Sequence, residues 1–311
     1  MHYFLIRLWR RIPAKPFVFG YLALYAVTLA LLARFEHFGL TEPLFIFTIL
    51  GMGFSGVAWI ATRGVHAAAP VAPAKPRAEA LAVTAYLVLF AFGFLGWGLS
   101  WIKENVPDPR YHMLMVTLAK LLTMVALPLL ILEHYGHSPR ELLRWNFSLR
   151  KLRTPFAVMI PLLLAFQLLV GGGLTQIREL NPPPVVLLAA VPVCFLYLCL
   201  DTGLTEEFLF RVVVQDRFAA LFRSETGGVV VMAVLFGLAH GPGYYLRAVD
   251  THVGTHPSVL MAAGYTVVMI SVFGFVFGML WARTRSLGLV VMAHAATDLL
   301  PNLTEFIKAW S

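Results

Sequence analysis

Long apolar runs alternate with short polar segments along almost the whole chain. The runs are about 17–24 residues long, the length that a helix needs to cross about 30 Å of hydrocarbon. They predict nine membrane-spanning helices, at residues 17–33, 44–61, 81–102, 112–132, 155–173, 184–210, 228–241, 259–282 and 286–300. The seventh and ninth runs are short, and the sixth could continue to Phe222. The fold class that we predict is therefore all-α, a polytopic transmembrane helix bundle of about eight or nine spans.

Basic residues are distributed unequally between the two sides of this predicted bundle. If the N-terminus is cytosolic, 17 of the 24 Lys and Arg residues fall on the cytosolic side and six on the outer side. Such an excess is typical of the cytosolic loops of membrane proteins. We therefore predict a cytosolic N-terminus. The formal net charge of +8 then reflects topology and contact with membrane lipids, and we expect no nucleic-acid partner.

The composition independently excludes a water-soluble protein. Hydrophobic residues make up 59% of the chain and charged residues 13%, with a mean hydropathy of +0.78. Soluble domains carry about 25% charged residues, so this chain is expected to be an integral membrane protein. Arginine is much commoner than lysine and alanine is frequent, which favours a prokaryotic cytoplasmic (inner) membrane.

Segments that interrupt helices divide the chain into three predicted regions. Residues 1–80 form a predicted two-span N-terminal extension that ends in a linker rich in proline and alanine. Residues 81–183 form a three-span accessory region, which ends at three consecutive prolines. Residues 184–311 form the third region, which holds the last four predicted spans. We find no internal repeat of the kind that builds many transporters.

Ionisable residues inside the predicted spans are concentrated in the last third of the chain. Each costs about 2.5–3.5 kcal/mol even on the lenient insertion scale, so a functional reason is expected. These residues are Asp201, Glu206, Glu207, Arg211, His240, His294 and Asp298. They lie on the sixth span with its extension, the seventh and the ninth, whereas Lys120 lies in the fourth.

Helical spacing separates the two adjacent glutamates. Glu207 and Arg211 are four residues apart, so they share a helix face and can form an ion pair. Glu206 is rotated by about 100° from Glu207 and faces something else. The same four-residue spacing separates Phe236 from His240 and His294 from Asp298, so each of these pairs shares a helix face.

Depth in the membrane brings residues from different spans together. Counted from the predicted cytosolic ends of their helices, with Arg217 marking one of them, Glu206, His240 and His294 lie roughly 16, 18 and 14 Å deep. Three predicted helices thus place ionisable groups at nearly the same depth in the membrane. Directly after His240, the sequence Gly-Pro-Gly at 241–243 predicts a helix end that lines a wet cavity.

Three motifs in this part of the chain resemble those of a known family. Residues 206–211 read EEFLFR and fit EExxxR, residues 236–240 read FGLAH and fit FxxxH, and residues 294–298 read HAATD and fit HxxxN/D. These are the motifs of the CPBP/Abi intramembrane proteases, which include CAAX prenyl protease 2 (Rce1-like). They occur in the family's order, and the resemblance covers about residues 184 to 302.

The resemblance implies hydrolysis of a peptide bond by an activated water. In the scheme favoured for the family, Glu206 is the general base and His240 holds and polarises the water. His294 and Asp298 stabilise the oxyanion. An ionised Asp298 would repel an oxyanion where an asparagine would donate to it, so Asp298 either donates from a protonated carboxyl or orients His294.

The same resemblance assigns Glu207, Arg211 and Phe236 a supporting role around the catalytic residues. It implies a glutamic-type intramembrane endopeptidase acting on a membrane-anchored or hydrophobic peptide or protein. A peptide precursor, a CAAX-like tail or a C-terminal sorting tail would be the substrate.

Two alternatives stay open at this point. Glu206, His240 and His294 could bind Zn²⁺, although no HExxH pair is present and we expect no metal or other cofactor. A non-proteolytic immunity or binding protein could keep every motif on the same scaffold.

Overall fold

The computed structural model describes residues 14–146, 148–247, 253–254 and 256–310, and these are helical with no strand. The helices, labelled α1 to α11 in chain order, are Ala14–Phe35, Thr41–Ala61, Pro76–Asn105, Pro109–His134, Pro139–Leu142, Leu149–Val170, Gly173–Leu180, Pro184–Phe222, Glu225–Arg247, Val259–Thr284 and Leu287–Trp310. The basic N-terminal residues used for the charge count, Arg7, Arg10 and Arg11, lie outside the described residues.

The predicted polytopic helix bundle is confirmed. In the described part of the chain, eight helices are long and apolar enough to cross a membrane. Each corresponds to one of the first eight predicted spans. The ninth predicted span is α11, a helix of 24 residues that carries His294 and Asp298 and is mostly buried among the other helices.

Local sequence explains where several helices begin. Proline occupies the first turn of α3, α4 and α8, where a missing backbone N–H costs nothing. Asp108 caps α4, because its side chain accepts a hydrogen bond of 2.9 Å from the backbone N–H of Arg110. The predicted linker is shorter than expected, since α3 already begins at Pro76.

Helix α8 corrects part of the charge count. It continues for 39 residues to Phe222, as the longer prediction allowed. Arg211 and Arg217, which the charge count places in a cytosolic segment, lie inside this helix and are fully buried. Their charges are balanced within the protein, so Arg217 is not the membrane-boundary residue that the depth estimate assumes.

The helix end predicted at residues 241–243 is wrong. Helix α9 runs through Gly241, Pro242 and Gly243 and ends at Arg247. In lipid a broken helix would leave several backbone groups without partners, whereas neighbouring helices can compensate for one proline. Pro242 and Gly243 pack against α3, at Gly96 and Leu95.

Small residues let α9 approach α10 closely. A Cβ atom on Gly237 would lie 2.5 Å from the carbonyl oxygen of Thr266, and one on Gly274 would lie 3.0 Å from the Cα atom of Ala233. The close contact of two helix backbones is a common way of packing in membranes. On the other side of the bundle, α11 packs against α6, α7 and α8, which brings the residues of the predicted site together.

Candidate active site

A cavity of about 280 Å³ lies between five helices inside the bundle. All four residues predicted as catalytic line it, together with the predicted supporting residue Phe236. Its lining residues are Gln167, Glu206, Phe236, His240, Ile270, Phe273, Phe277, His294, Thr297, Asp298 and Pro301. Polar residues from separate predicted spans therefore line one cavity.

The adjacent carboxylates of Glu206 and Glu207 have different surroundings. The side chain of Glu207 is fully buried, and its oxygens accept hydrogen bonds from Arg211 Nε at 2.7 Å and Nη2 at 3.0 Å. The side chain of Glu206 is 13% exposed and faces the cavity. The predicted rotation between the two residues and the predicted Glu207–Arg211 ion pair are both present.

His294 connects the buried ion pair to the cavity. Its Nδ1 donates to Glu207 Oε1 over 2.7 Å, so one carboxylate oxygen is shared between His294 and Arg211. Its Nε2 lies 3.6 Å from Asp298 Oδ2 and 3.8 Å from Glu206 Oε2. The imidazole is thus held on one side by a buried carboxylate and presents its other nitrogen to two cavity carboxylates.

Aromatic rings enclose this charged cluster. The Arg211 guanidinium carbon lies 5.0 Å from the ring centre of Phe236 and 5.8 Å from that of Phe277. The Phe277 ring also stacks on His294, with a centroid distance of 5.1 Å and an interplanar angle of 8°. These contacts fix both side chains by cation–π and stacking interactions. Phe277 is absent from the predicted site, because no charged or motif residue marks its span.

His240 has a defined tautomer when it is neutral. Its Nδ1 lies 2.7 Å from the carbonyl oxygen of Phe236, and a carbonyl can only accept, so Nδ1 carries the proton. Its Nε2 is then a free hydrogen-bond acceptor. The ring is only half-buried and lines the cavity, where it can bind a water molecule.

The backbone of α8 departs from α-helical geometry on both sides of the two glutamates. Residues Cys199–Leu204 and Phe208–Gln215 are π-helical, and only Thr205–Glu207 between them is α-helical. Similar π-helical segments occur in α2, α3, α4 and α10, so they do not by themselves mark the site. They cannot be read from apolar periodicity.

Asp201 belongs to a neighbouring polar cluster. It accepts a hydrogen bond from Thr117 Oγ1 and pairs with Lys120 Nζ at 2.8 Å. Asp201 therefore bonds within the bundle. Lys120 could have been identified from the sequence as a candidate partner, because it is the charged residue inside the fourth apolar run.

Gln167 is a further residue that the sequence prediction missed. It lies on α6, outside the region 184–311 that carries the three motifs, and it is one of the residues that line the cavity. A polar amide within the fifth apolar run could have marked Gln167 as a candidate functional residue. Nothing in the sequence, however, connects that run with residues 206–298.

The candidate zinc ligands do not fit a metal site. Among the described residues, no group of three or more His, Cys, Asp and Glu side chains is arranged to hold a metal ion. His294 Nδ1 and His240 Nδ1 donate to Glu207 and to the carbonyl of Phe236, so Nε2 is the ring nitrogen that each histidine presents to the cavity. No chemical step is therefore assigned to a metal.

Comparison with known proteins agrees with the motifs. Residues 188–300 match the family model described as type II CAAX prenyl endopeptidase, Rce1-like. No curated protein and no solved structure matches the chain. The matched residues contain every motif position from Glu206 to Asp298, and they leave out α1 to α7.

Proposed function

We propose, from the match of residues 188–300 to the Rce1-like model of type II CAAX prenyl endopeptidases, that the protein is an intramembrane endopeptidase in which Glu206 activates water. The convergence of Glu206, His240, His294 and Asp298 from three helices on one cavity supports the proposal most directly. Metal-free catalysis is part of it.

The proposed reaction begins with a water molecule held between Glu206 and His240 Nε2. Glu206 takes a proton from this water, and the oxygen forms a bond to the carbonyl carbon of the substrate. The carbonyl oxygen becomes an oxyanion beside His294 and Asp298. The C–N bond then breaks, and the amine leaves with the proton that Glu206 had accepted.

Glu207 and Arg211 have a positioning role in this proposal. A fully buried carboxylate that accepts from His294 Nδ1 keeps the imidazole in one orientation. The Arg211 guanidinium balances its charge and is itself fixed between Phe236 and Phe277. The oxyanion-binding nitrogen, His294 Nε2, is thereby held before the substrate arrives.

The substrates that we propose are membrane-anchored peptides or proteins cut next to a hydrophobic segment. A CAAX-like tail, a peptide precursor and a C-terminal sorting tail all meet this description. The cavity lies within a bundle of membrane-spanning helices, which favours substrates that arrive from the lipid. We place the protein in a prokaryotic inner membrane.

Cleavage assays with purified protein in lipid vesicles test the proposal. The substrates are a farnesylated CAAX peptide, a single-span peptide with a C-terminal sorting tail, and a soluble peptide with the same cleavage sequences. We expect cleavage of an anchored peptide, a loss of about 10²–10⁴-fold in kcat for Glu206→Gln, and no effect of a chelator.

Glu133→Gln is the matched control, because it makes the same chemical change at an exposed residue near the end of α4. It should cleave like the wild type. Full activity of Glu206→Gln would contradict the assignment of the base, and chelator-sensitive cleavage would indicate a metal enzyme. Binding of the anchored peptides without any cleavage would favour the immunity or binding protein.

A further inference from the structure

The motif residues offer few hydrogen-bond donors to the proposed oxyanion. His240 Nδ1 donates to the carbonyl of Phe236, and His294 Nδ1 donates to Glu207. Thr297 Oγ1 donates to the carbonyl of Ala293 at 3.0 Å. An ionised Asp298 has only acceptor oxygens. The motif residues therefore offer the oxyanion no more than a proton on a histidine Nε2.

The side chain of Gln167 supplies the missing kind of group. It is 8% exposed, and its amide makes no hydrogen bond with any other described residue. A buried amide without a partner is unfavourable, so such a group is usually satisfied by water or by a ligand. Here it lines the same cavity as Glu206, His294 and Asp298.

The position of Gln167 relative to α11 is fixed by close packing. The chain leaves α6 through Gly171 and Gly172 and enters α7 at Gly173. A Cβ atom on Gly173 would lie 2.6 Å from the carbonyl oxygen of Leu300 on α11. The corner that follows Gln167 thus rests directly on the helix that carries His294 and Asp298.

We propose that the side-chain amide of Gln167 donates a hydrogen bond to the substrate's carbonyl oxygen as it becomes an oxyanion. In this way α6, which lies outside the Rce1-like region, completes the site. The amide of Gln167 supplies the donor that an asparagine at position 298 would provide and that the carboxylate of Asp298 does not. The inference rests on the proposed function, since it concerns the same reaction.

The first test replaces Gln167 by methionine, which keeps the length of the side chain and removes the amide. With the anchored peptide that the wild type cleaves, kcat should fall by about 10²–10³-fold, the loss typical for one oxyanion donor. KM should stay unchanged, because the bond forms fully only in the transition state. Gln176→Met is the control, because it removes an amide that accepts a hydrogen bond from Thr304 of α11 but lies outside the cavity, and it should retain wild-type activity.

The second test adds Asp298→Asn to Gln167→Met. Asparagine returns an amide donor to the cavity, so the double variant should recover at least ten-fold in kcat over Gln167→Met alone. A purely structural role of Gln167 predicts no such recovery. Thermal unfolding of each variant in the same vesicles reports whether folding has changed.

The outcomes separate the inference from the proposed function. Wild-type kcat in Gln167→Met, or a loss of activity that follows a loss of folding and that Asp298→Asn does not restore, would overturn the inference. Glu206-dependent cleavage would then still support the endopeptidase. If wild-type protein cleaves none of the anchored peptides, the proposed function and the inference both fail.

Discussion

Glu206 and Glu207 are neighbours with the same side chain, but they differ in burial and in bonding partners. Glu207 is completely buried, bonded to Arg211 and to His294, whereas Glu206 keeps part of its surface in the cavity. The four-residue spacing of Glu207 and Arg211 was enough to predict which glutamate forms the ion pair. The bond between Glu207 and His294 joins residues 87 positions apart, and no local spacing predicts it.

Replacing Glu207 by glutamine should unfold the protein more easily. An amide has one acceptor oxygen, so its NH₂ group must face a donor on either Arg211 or His294. Breaking a buried pair in this way typically costs about 3–5 kcal/mol, because Arg211 is left charged and unpaired. We expect a lower free energy of unfolding in denaturant titrations.

The double variant Glu207→Gln/Arg211→Met should regain part of this stability, since it removes the unpaired cation. Glu305→Gln, at an exposed position on α11, is the control and should match the wild type. Equal stabilities of Glu207→Gln and wild type would show that the pair is not important for folding.

At the scale of helices, the length of apolar runs predicted most spans correctly, and turn chemistry predicted one end wrongly. Gly-Pro-Gly ends helices in water, but α9 continues through residues 241–243. In lipid no water is present to satisfy a broken backbone, so the helical state is retained. The π-helical segments of α8 were also beyond reach, since they depend on packing around Glu206 and Glu207.

The crossing of α9 and α10 gives a prediction at this scale. In Gly237→Ala the new methyl group would lie 2.5 Å from the carbonyl oxygen of Thr266, so the two helices must separate. Overpacking of this kind costs about 1–3 kcal/mol. Since His240 follows one turn later on α9, kcat for the anchored peptide should fall together with thermal stability.

Gly20→Ala provides the matched control for this crossing. Gly20 lies within α1, and a Cβ atom there would meet nothing within 4 Å. The substitution should leave thermal stability unchanged or raise it slightly, because alanine is the better helix former. A Gly237→Ala protein as stable and active as Gly20→Ala would contradict the close contact.

At the scale of the whole molecule, buried charges connect the N-terminal helices to the Rce1-like region. Glu79 on α3 is fully buried, and its Oε2 lies 2.8 Å from His137 Nε2 and 3.4 Å from Arg217 Nε on α8. Its other oxygen accepts from the backbone N–H of Lys75 at 2.9 Å. Glu79 of α3 thus balances a charge of α8, and His137 from the loop after α4 holds this carboxylate in place.

Replacing Glu79 by glutamine should therefore destabilise the whole bundle. Arg217 would keep its charge at zero exposure but lose the carboxylate that lies 3.4 Å from its Nε, and the expected cost is about 3–5 kcal/mol. Denaturant titration measures it, with Glu104→Gln at an exposed position of the same helix as the control. A stability equal to that of the control would mean that water or lipid compensates for Arg217.

The sequence by itself determined the membrane location, the positions of most spans and the motif residues. Apolar runs and four-residue spacings are local properties, and insertion into lipid depends directly on them. Only the tertiary structure decided which helices meet. It brought Gln167 and Phe277 into the cavity, gave His294 its bond to Glu207, and paired Lys120 with Asp201. These contacts depend on how side chains of distant segments fill one space, which no spacing along a single helix specifies.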